Sequence, residues 1–340
     1  MSSVQTVDAA YLLASPPPKI AWAIEGILPV GTVGDIFGPP GGGKSSITLD
    51  LAIAVAAGSC SWFGLPCISG PVVLLGGERS GIDAFSRDLH RASQGRSIEP
   101  DRLFMPQDAN GDCPPLWTWN KKADCWTVTD WGKQITEWLV TINPALILVD
   151  TLASAASGSD IINQPQQYAL GITIRQWAKT IDNSTVLTIS HTNQASSTQE
   201  LANRLHYLSR AGGNGLPGAV RWIAGVALLN NADLDMVPGG REYDPDDKVK
   251  RFIALAVSKH NEMPAPAWTP MYPVIFQMKP NGGLVLVPTN GAAFDAYYPS
   301  VDDARKPREK QKKKTDVNPN LSLRDNEYLR AKNGANDERW

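Results

Sequence analysis

Cysteine is scarce in this chain. Four occur in 340 residues, Cys60, Cys67, Cys113 and Cys125, none in a CxxC interval, and the four histidines do not fall beside them at ligand spacing. That excludes a disulfide framework and a finger-type zinc site, and leads to the expectation of reduced, structural thiols in a cytoplasmic protein. Long hydrophobic runs are missing too: no stretch approaches the roughly 20 apolar residues of a membrane span. The opening MSSVQTVDAAYLLASPPPK has neither the basic start nor the apolar core of a signal peptide. Excess charge of one sign is also absent, with 32 Lys+Arg against 34 Asp+Glu and a formal net charge of −2. A polyanion therefore finds no attractive global field and must be met by a local patch.

What the chain does have is order. Residues 1–30 read as a leader, with a short helix near Asp8–Ala14 and a stiff Pro16-Pro17-Pro18 that fits neither a helix interior nor a central strand. From 31 to 290 short apolar runs alternate with helical stretches. Strands are expected at 32–37, 71–77, 145–150, 184–190, 251–258, 272–278 and 282–287, the last two as a hairpin around KPNG. Helices are expected at 43–57, 81–92, 128–141, 164–181 and 218–229. The alternation implies an α/β three-layer sandwich on a mostly parallel sheet that ends in an antiparallel hairpin. Two irregular stretches, 105–127 and 192–217, are long enough to be functional; the first carries Trp117, Trp119 and Trp126, the second Arg204, His206 and Arg210. Residues 291–340 read as a flexible tail, with seven basic side chains and one acidic in RKPREKQKKK.

The chemistry begins at Gly38-Pro-Pro-Gly-Gly-Gly-Lys44-Ser45, which satisfies GxxxxGK[ST] between an apolar strand and a helix. Gly38, Gly41, Gly42 and Gly43 let the backbone curl its N–H groups onto a β-phosphate at a helix N-terminus. Lys44 reaches the β/γ-phosphates, Ser45 offers a hydroxyl to Mg²⁺, and Ser46 follows within the same turn. The expected ligand is ATP with Mg²⁺. ALILVD ends on Asp150, an acid at the carboxyl end of a buried strand and a candidate to hold that metal through water. Its bland alternative is a helix cap. Thr151 follows where some motors carry a second acid, so the base must lie elsewhere. Glu78, ending VVLLGGE on a strand expected beside the P-loop strand, is the candidate to orient and deprotonate water; a capping glutamate is the competing reading. His191 ends STVLTIS, where a polar group can sense the γ-phosphate.

Taken in order, these features resemble the RecA-like ATPases, and within them the RepA-type hexameric replicative helicases of plasmids and phages. PVGTVGDIFGPPGGGKS, GPVVLLGGE, ALILVDTLAS, TISHTNQ, SRAGGNGLPGAVRWIAGVALL and LAVSKHN carry the likeness over about residues 11–290. The resemblance implies that Arg221, opening an Arg-Trp pair, is a finger completing the neighbouring subunit's site. It also implies that Lys259 is a second basic residue at that interface, although His260 and Asn261 follow where many relatives place an arginine. It implies further that loop 192–217 points into a central channel, with Arg204 and Arg210 on DNA phosphates. The function it implies is an ATPase motor, a homo-oligomeric, hexameric ring translocating on single-stranded DNA, with primase or initiator supplied by separate chains. A RecA-like recombination mediator or nucleotide switch without unwinding would share the fold. A small-molecule kinase is disfavoured because no short Arg-rich lid is evident.

Overall fold

A computed structural model describes residues 6, 8–14, 16–58, 61–76, 81–94, 96–99, 101–159, 163–182, 184–193, 198–240, 251–261, 266, 268–279 and 283–288. The chain divides into two compact units, Met1–Phe294 and Asp295–Trp340; the basic tail expected over 291–340 lies outside the described residues.

The central sheet has nine strands. In chain order they are β1 (Val33–Gly38), β2 (Val72–Leu75), β3 (Leu103–Phe104), β4 (Leu146–Asp150), β5 (Thr185–His191), β6 (Trp222–Leu228), β7 (Arg251–His260), β8 (Val274–Met278) and β9 (Leu284–Val287). Their order across the sheet is β9-β8-β7-β6-β1-β5-β4-β2-β3. The run from β3 to β6 is parallel, and β7, β8 and β9 extend it antiparallel. β1, β2, β4 and β5 are buried along nearly their whole length because helices cover both faces.

Four principal helices do the covering: α1 (Lys44–Ala56), α2 (Gly81–Ser93), α3 (Asp130–Ile142) and α4 (Gln164–Ala178). α1 is buried on nearly every side, with eleven of its thirteen residues inside, which suits a helix lying between the sheet and further layers. It shares one apolar layer with Phe85 of α2, Trp62 and the sheet residues Ile36, Leu148, Ile189 and Val226. α3 and α4 form the opposite layer with Val33, Phe37, Ile147, Val149 and Val186. Alternate β1 residues thus face opposite layers, and Asp35 faces the α4 side.

Four features depart from the sequence expectation. The stretch 218–229, expected as a helix, is a turn of helix over Gly215–Ala219 followed by the central strand β6. A short apolar run bounded by Gly and Pro fits a buried strand as well as a helix, and its place between β1 and β7 decides for the strand. The strand before Glu78, β2, pairs with β4 and not with the P-loop strand; β4 and β5 stand between. Residues within the expected leader also join the body: Ala23, Ile24, Ile27 and Leu28 are buried, and Trp222 Nε1 donates to the Ile27 carbonyl at 2.7 Å. The irregular stretch 105–127 contains a hairpin, Trp117–Asn120 against Cys125–Val128, whose first strand also pairs Ala156–Ser157.

Candidate functional site

The phosphate loop is the turn 39–43 between Gly38, the last residue of β1, and Lys44, the first of α1. Gly42 N donates to the Pro39 carbonyl at 3.0 Å, closing the turn. Gly43 takes φ +91° at the N-cap of α1, and a Cβ there would lie 2.3 Å from Ile253 Cδ1, so position 43 demands glycine on two counts. Lys44 is 5% exposed; its Nζ donates to the carbonyls of Gly38 and Pro39, both at 2.9 Å, and stands 3.4 Å from His191 Nδ1. Ser45 is exposed and Ser46 half-buried at the first turn of α1.

Register brings the other groups to this end of the sheet. His191 of β5 lies directly opposite Gly38, and Thr192 N donates to the Gly38 carbonyl at 3.2 Å. Asp150 ends β4, next to β5, and its Oδ2 accepts from Ser45 Oγ at 3.2 Å. A hydroxyl and a carboxylate this close, beside a phosphate-binding turn, suit Mg²⁺, which takes few protein ligands and completes its shell with phosphate and water. No group of three or more His, Cys, Asp and Glu side chains forms a metal site among the described residues.

Beside Asp150, β2 closes in through Gly76. Its φ is +128°, and a Cβ would fall 2.0 Å from the Asp150 carbonyl oxygen, so only glycine lets these backbones meet. Gly76 N donates to Cys113 Sγ at 3.1 Å, and burial pushes the Cys113 thiol pKa up. Two residues further, Glu78 lies outside the described residues.

Behind the loop is a polar network that no sequence motif marks. Asp35, fully buried on β1, accepts at Oδ1 from Thr188 Oγ1 and Ser190 Oγ, both at 2.6 Å, and at Oδ2 from Arg210 Nε at 2.8 Å. Arg210 also donates to Gln167 Oε1 at 2.6 Å, the Ala211 carbonyl at 2.7 Å and Ser190 Oγ at 3.0 Å. The segment it anchors pairs with the strand leaving His191: Ala211 N donates to the His191 carbonyl and Asn193 N to the Ser209 carbonyl, each at 2.9 Å. A cavity of about 100 Å³ lies here, lined by His191, Arg210, Gln167 and Leu152 among others. The signal for this network was an acid inside the apolar run TVGDIF, since a buried carboxylate requires a partner.

Arg210, expected on DNA, is therefore 2% exposed and committed to Asp35. Arg204 is likewise buried; it pairs with Asp233 and donates to the Leu228 carbonyl at 2.7 Å. Neither guanidinium reaches a surface where a phosphate could be met, which corrects the expectation for both. Gly212 and Gly213 have positive φ, and helical turns cover Leu201–Leu205 and Gly215–Ala219, so the described part of loop 192–217 is built, not irregular.

Arg221 and Lys259 fall at the other end of the sheet. Arg221 N donates to the Val33 carbonyl at the start of β1, and Asn261 N to the Arg221 carbonyl. Lys259 pairs with Ile223 and donates from Nζ to the Pro217 carbonyl. Between Val33 and Gly38 run five strand steps, about 17 Å at the ~3.3 Å rise of a strand. Burial, then the charges of Arg221 and Arg175, lower the Lys259 pKa. Arg175, on α4, was not singled out from sequence; its Nη1 donates to the Ala219 carbonyl at 3.3 Å.

No described helix is long and apolar enough to cross a membrane. A family model described as an AAA domain matches residues 2–197, more than half of the chain. No curated protein matches it.

Proposed function

We propose that this chain, which belongs to the AAA domain family and is a nucleotide-binding ATPase, works as an oligomeric motor that hydrolyses ATP to move along single-stranded DNA, in the manner of a replicative ring helicase. The observation that carries the proposal is the separation of Arg221 and Lys259 from their own phosphate loop. The loop follows the last residue of β1, whereas Arg221 is bonded to its first. Cations held there cannot complete the site of their own subunit, but a head-to-tail neighbour could receive them, and such heterologous contacts generate rings or filaments.

In this reading Lys44 and the loop N–H groups bind the phosphates of ATP, and Ser45 and Asp150 would hold Mg²⁺, which would supply charge neutralisation. Glu78 orients and deprotonates the attacking water. Arg221 from the neighbour stabilises charge on the transferred phosphoryl group, and Lys259 adds a point charge. His191, 3.4 Å from Lys44, senses the γ-phosphate. Its main chain is bonded to Ala211, so its movement would pass into the loop that carries the DNA response. With Arg204 and Arg210 internal, DNA contacts fall to the exposed parts of this loop.

Steady-state ATP hydrolysis with and without single-stranded DNA tests this. Wild type should be stimulated by DNA, and Glu78→Gln and Arg221→Ala should each lose at least 100-fold, since such a finger is worth about 10³–10⁵. Mixing the two variants should restore part of the rate, because a site formed by an intact pocket and an intact finger arises at mixed interfaces. A rate indifferent to DNA would remove the motor reading and leave a nucleotide switch. An Arg221→Ala enzyme as active as wild type would remove the shared site.

A further inference from the structure

The end of the sheet away from the phosphate loop carries a groove of about 370 Å³ that no motif accounts for. Gly31–Val33 at the start of β1, Ser184 before β5, the last turn of α4 with Arg175 and Lys179, and Arg221 line it. Its volume lies within the roughly 300–1,000 Å³ of small-molecule sites.

We propose that this groove is an anion site that takes a phosphate group through Arg175, Arg221, Lys179 and the hydroxyl of Thr32. Thr32 is 3% exposed, and its Oγ1 has no hydrogen-bond partner among the described residues. A buried hydroxyl is rarely left so, and a ligand rich in acceptor oxygens would satisfy it. The cations point the same way. Arg175, Lys179 and Lys259 make no ion pair among the described residues, and Asp182 is the sole carboxylate of the lining. Their mutual repulsion is felt at Lys259, whose ammonium form is disfavoured by burial and by the charges of Arg221 and Arg175. Cations near the C-terminus of α4 do offset the helix dipole. That accounts for placing Arg175 and Lys179 there, but not for Thr32 or for the crowding of Lys259.

Arg175 is the new element. Its one hydrogen bond among the described residues goes to the Ala219 carbonyl, so the rest of a five-donor fork is available to a bidentate acceptor. The same bond, with that of Lys259 to the Pro217 carbonyl, fixes the turn that leads into Arg221. The site itself stands on these residues alone. That its phosphate is the terminal one of a nucleotide held by a second copy rests on the shared-site reading above.

Two arms separate these claims. In the first, full-length Lys44→Ala protein, whose own phosphate loop is disabled, is titrated with sodium pyrophosphate at low ionic strength by isothermal calorimetry. One site per chain should appear, weakened at least tenfold by Arg175→Ala and several-fold by Thr32→Val, which keeps the side-chain shape. Arg175→Lys, retaining charge without the fork, covers the case in which the alanine variant fails to fold. No binding, or binding unchanged by Thr32→Val and by the Arg175 variants, overturns the site. In the second arm, Arg175→Ala with Lys44 intact should lose ATP hydrolysis and regain it when mixed with Lys44→Ala subunits, which can lend Arg175. Loss of pyrophosphate binding with hydrolysis intact would keep the anion site, assign it to a free anion, and overturn the second-copy source.

Discussion

At the scale of single residues, what separates the legible from the illegible is sequence distance. The phosphate loop, Asp150 and His191 are defined by neighbours in the chain, and the parallel strands bring their ends together. Arg210 reads as a loop cation because nothing near it in sequence is acidic; its partner Asp35 is 175 residues away. The pair is deeply buried, and removing one member strands the other charge. Arg210→Met should therefore cost about 3–5 kcal/mol in urea unfolding, whereas Asp35→Leu combined with Arg210→Met should cost less than the single change. A single variant within 1 kcal/mol of wild type, below the ~3 kcal/mol expected for a broken buried pair, would show that the Asp35–Arg210 contact does not hold this part of the fold.

At the scale of elements, α1 to α4 lie close to the ranges expected for them, and β6 does not. Its alternation is lost because both faces are covered, and Gly225 in its middle lets the backbone of Leu205 approach: a Cβ would meet that carbonyl at 2.3 Å. Long-range packing set this assignment, not propensity. The seat of α1 depends on a similar distant bond. Asp50 on α1 is buried against Trp62 Nε1 and the Arg96 guanidinium, which lies just past α2 and pairs at 2.6 Å. Burial raises the Asp50 pKa, and Arg96 and Trp62 partly offset it. Because the folded value lies above the ordinary one, the charged form is penalised, and this cost appears as pH rises through the folded pKa. Arg96→Met removes the main offset. It should destabilise by about 2–3 kcal/mol at pH 7, with the loss shrinking as pH falls toward 4 and Asp50 takes up a proton. Thermal unfolding of both proteins across that range gives the answer; a pH-independent difference would mean that Arg96 acts by packing alone.

At the scale of the whole molecule, the sheet has two chemically different ends. One presents the phosphate loop with Ser45, Asp150 and His191, the other the cations Arg175, Arg221 and Lys259. In sequence the resemblance grouped Arg221 with Lys259 but left out Arg175, because the three come from a helix, a turn and an antiparallel strand spread over more than 80 residues. A head-to-tail contact joining the two ends would make each active site a property of a pair, so that ATP hydrolysis per chain should rise with protein concentration. At high dilution, wild-type protein should then be slow, and an excess of Lys44→Ala chains, which cannot bind phosphate well but still offer Arg221, should raise hydrolysis per wild-type chain. Lys44→Ala combined with Arg221→Ala should not. Added salt should shift the concentration dependence to higher values, because the contact joins cations to a polyphosphate over partly solvated distances. If hydrolysis per chain stays constant from dilute to concentrated protein, and both added variants leave it unchanged, each chain completes its own site, and the cationic end must serve some other anion.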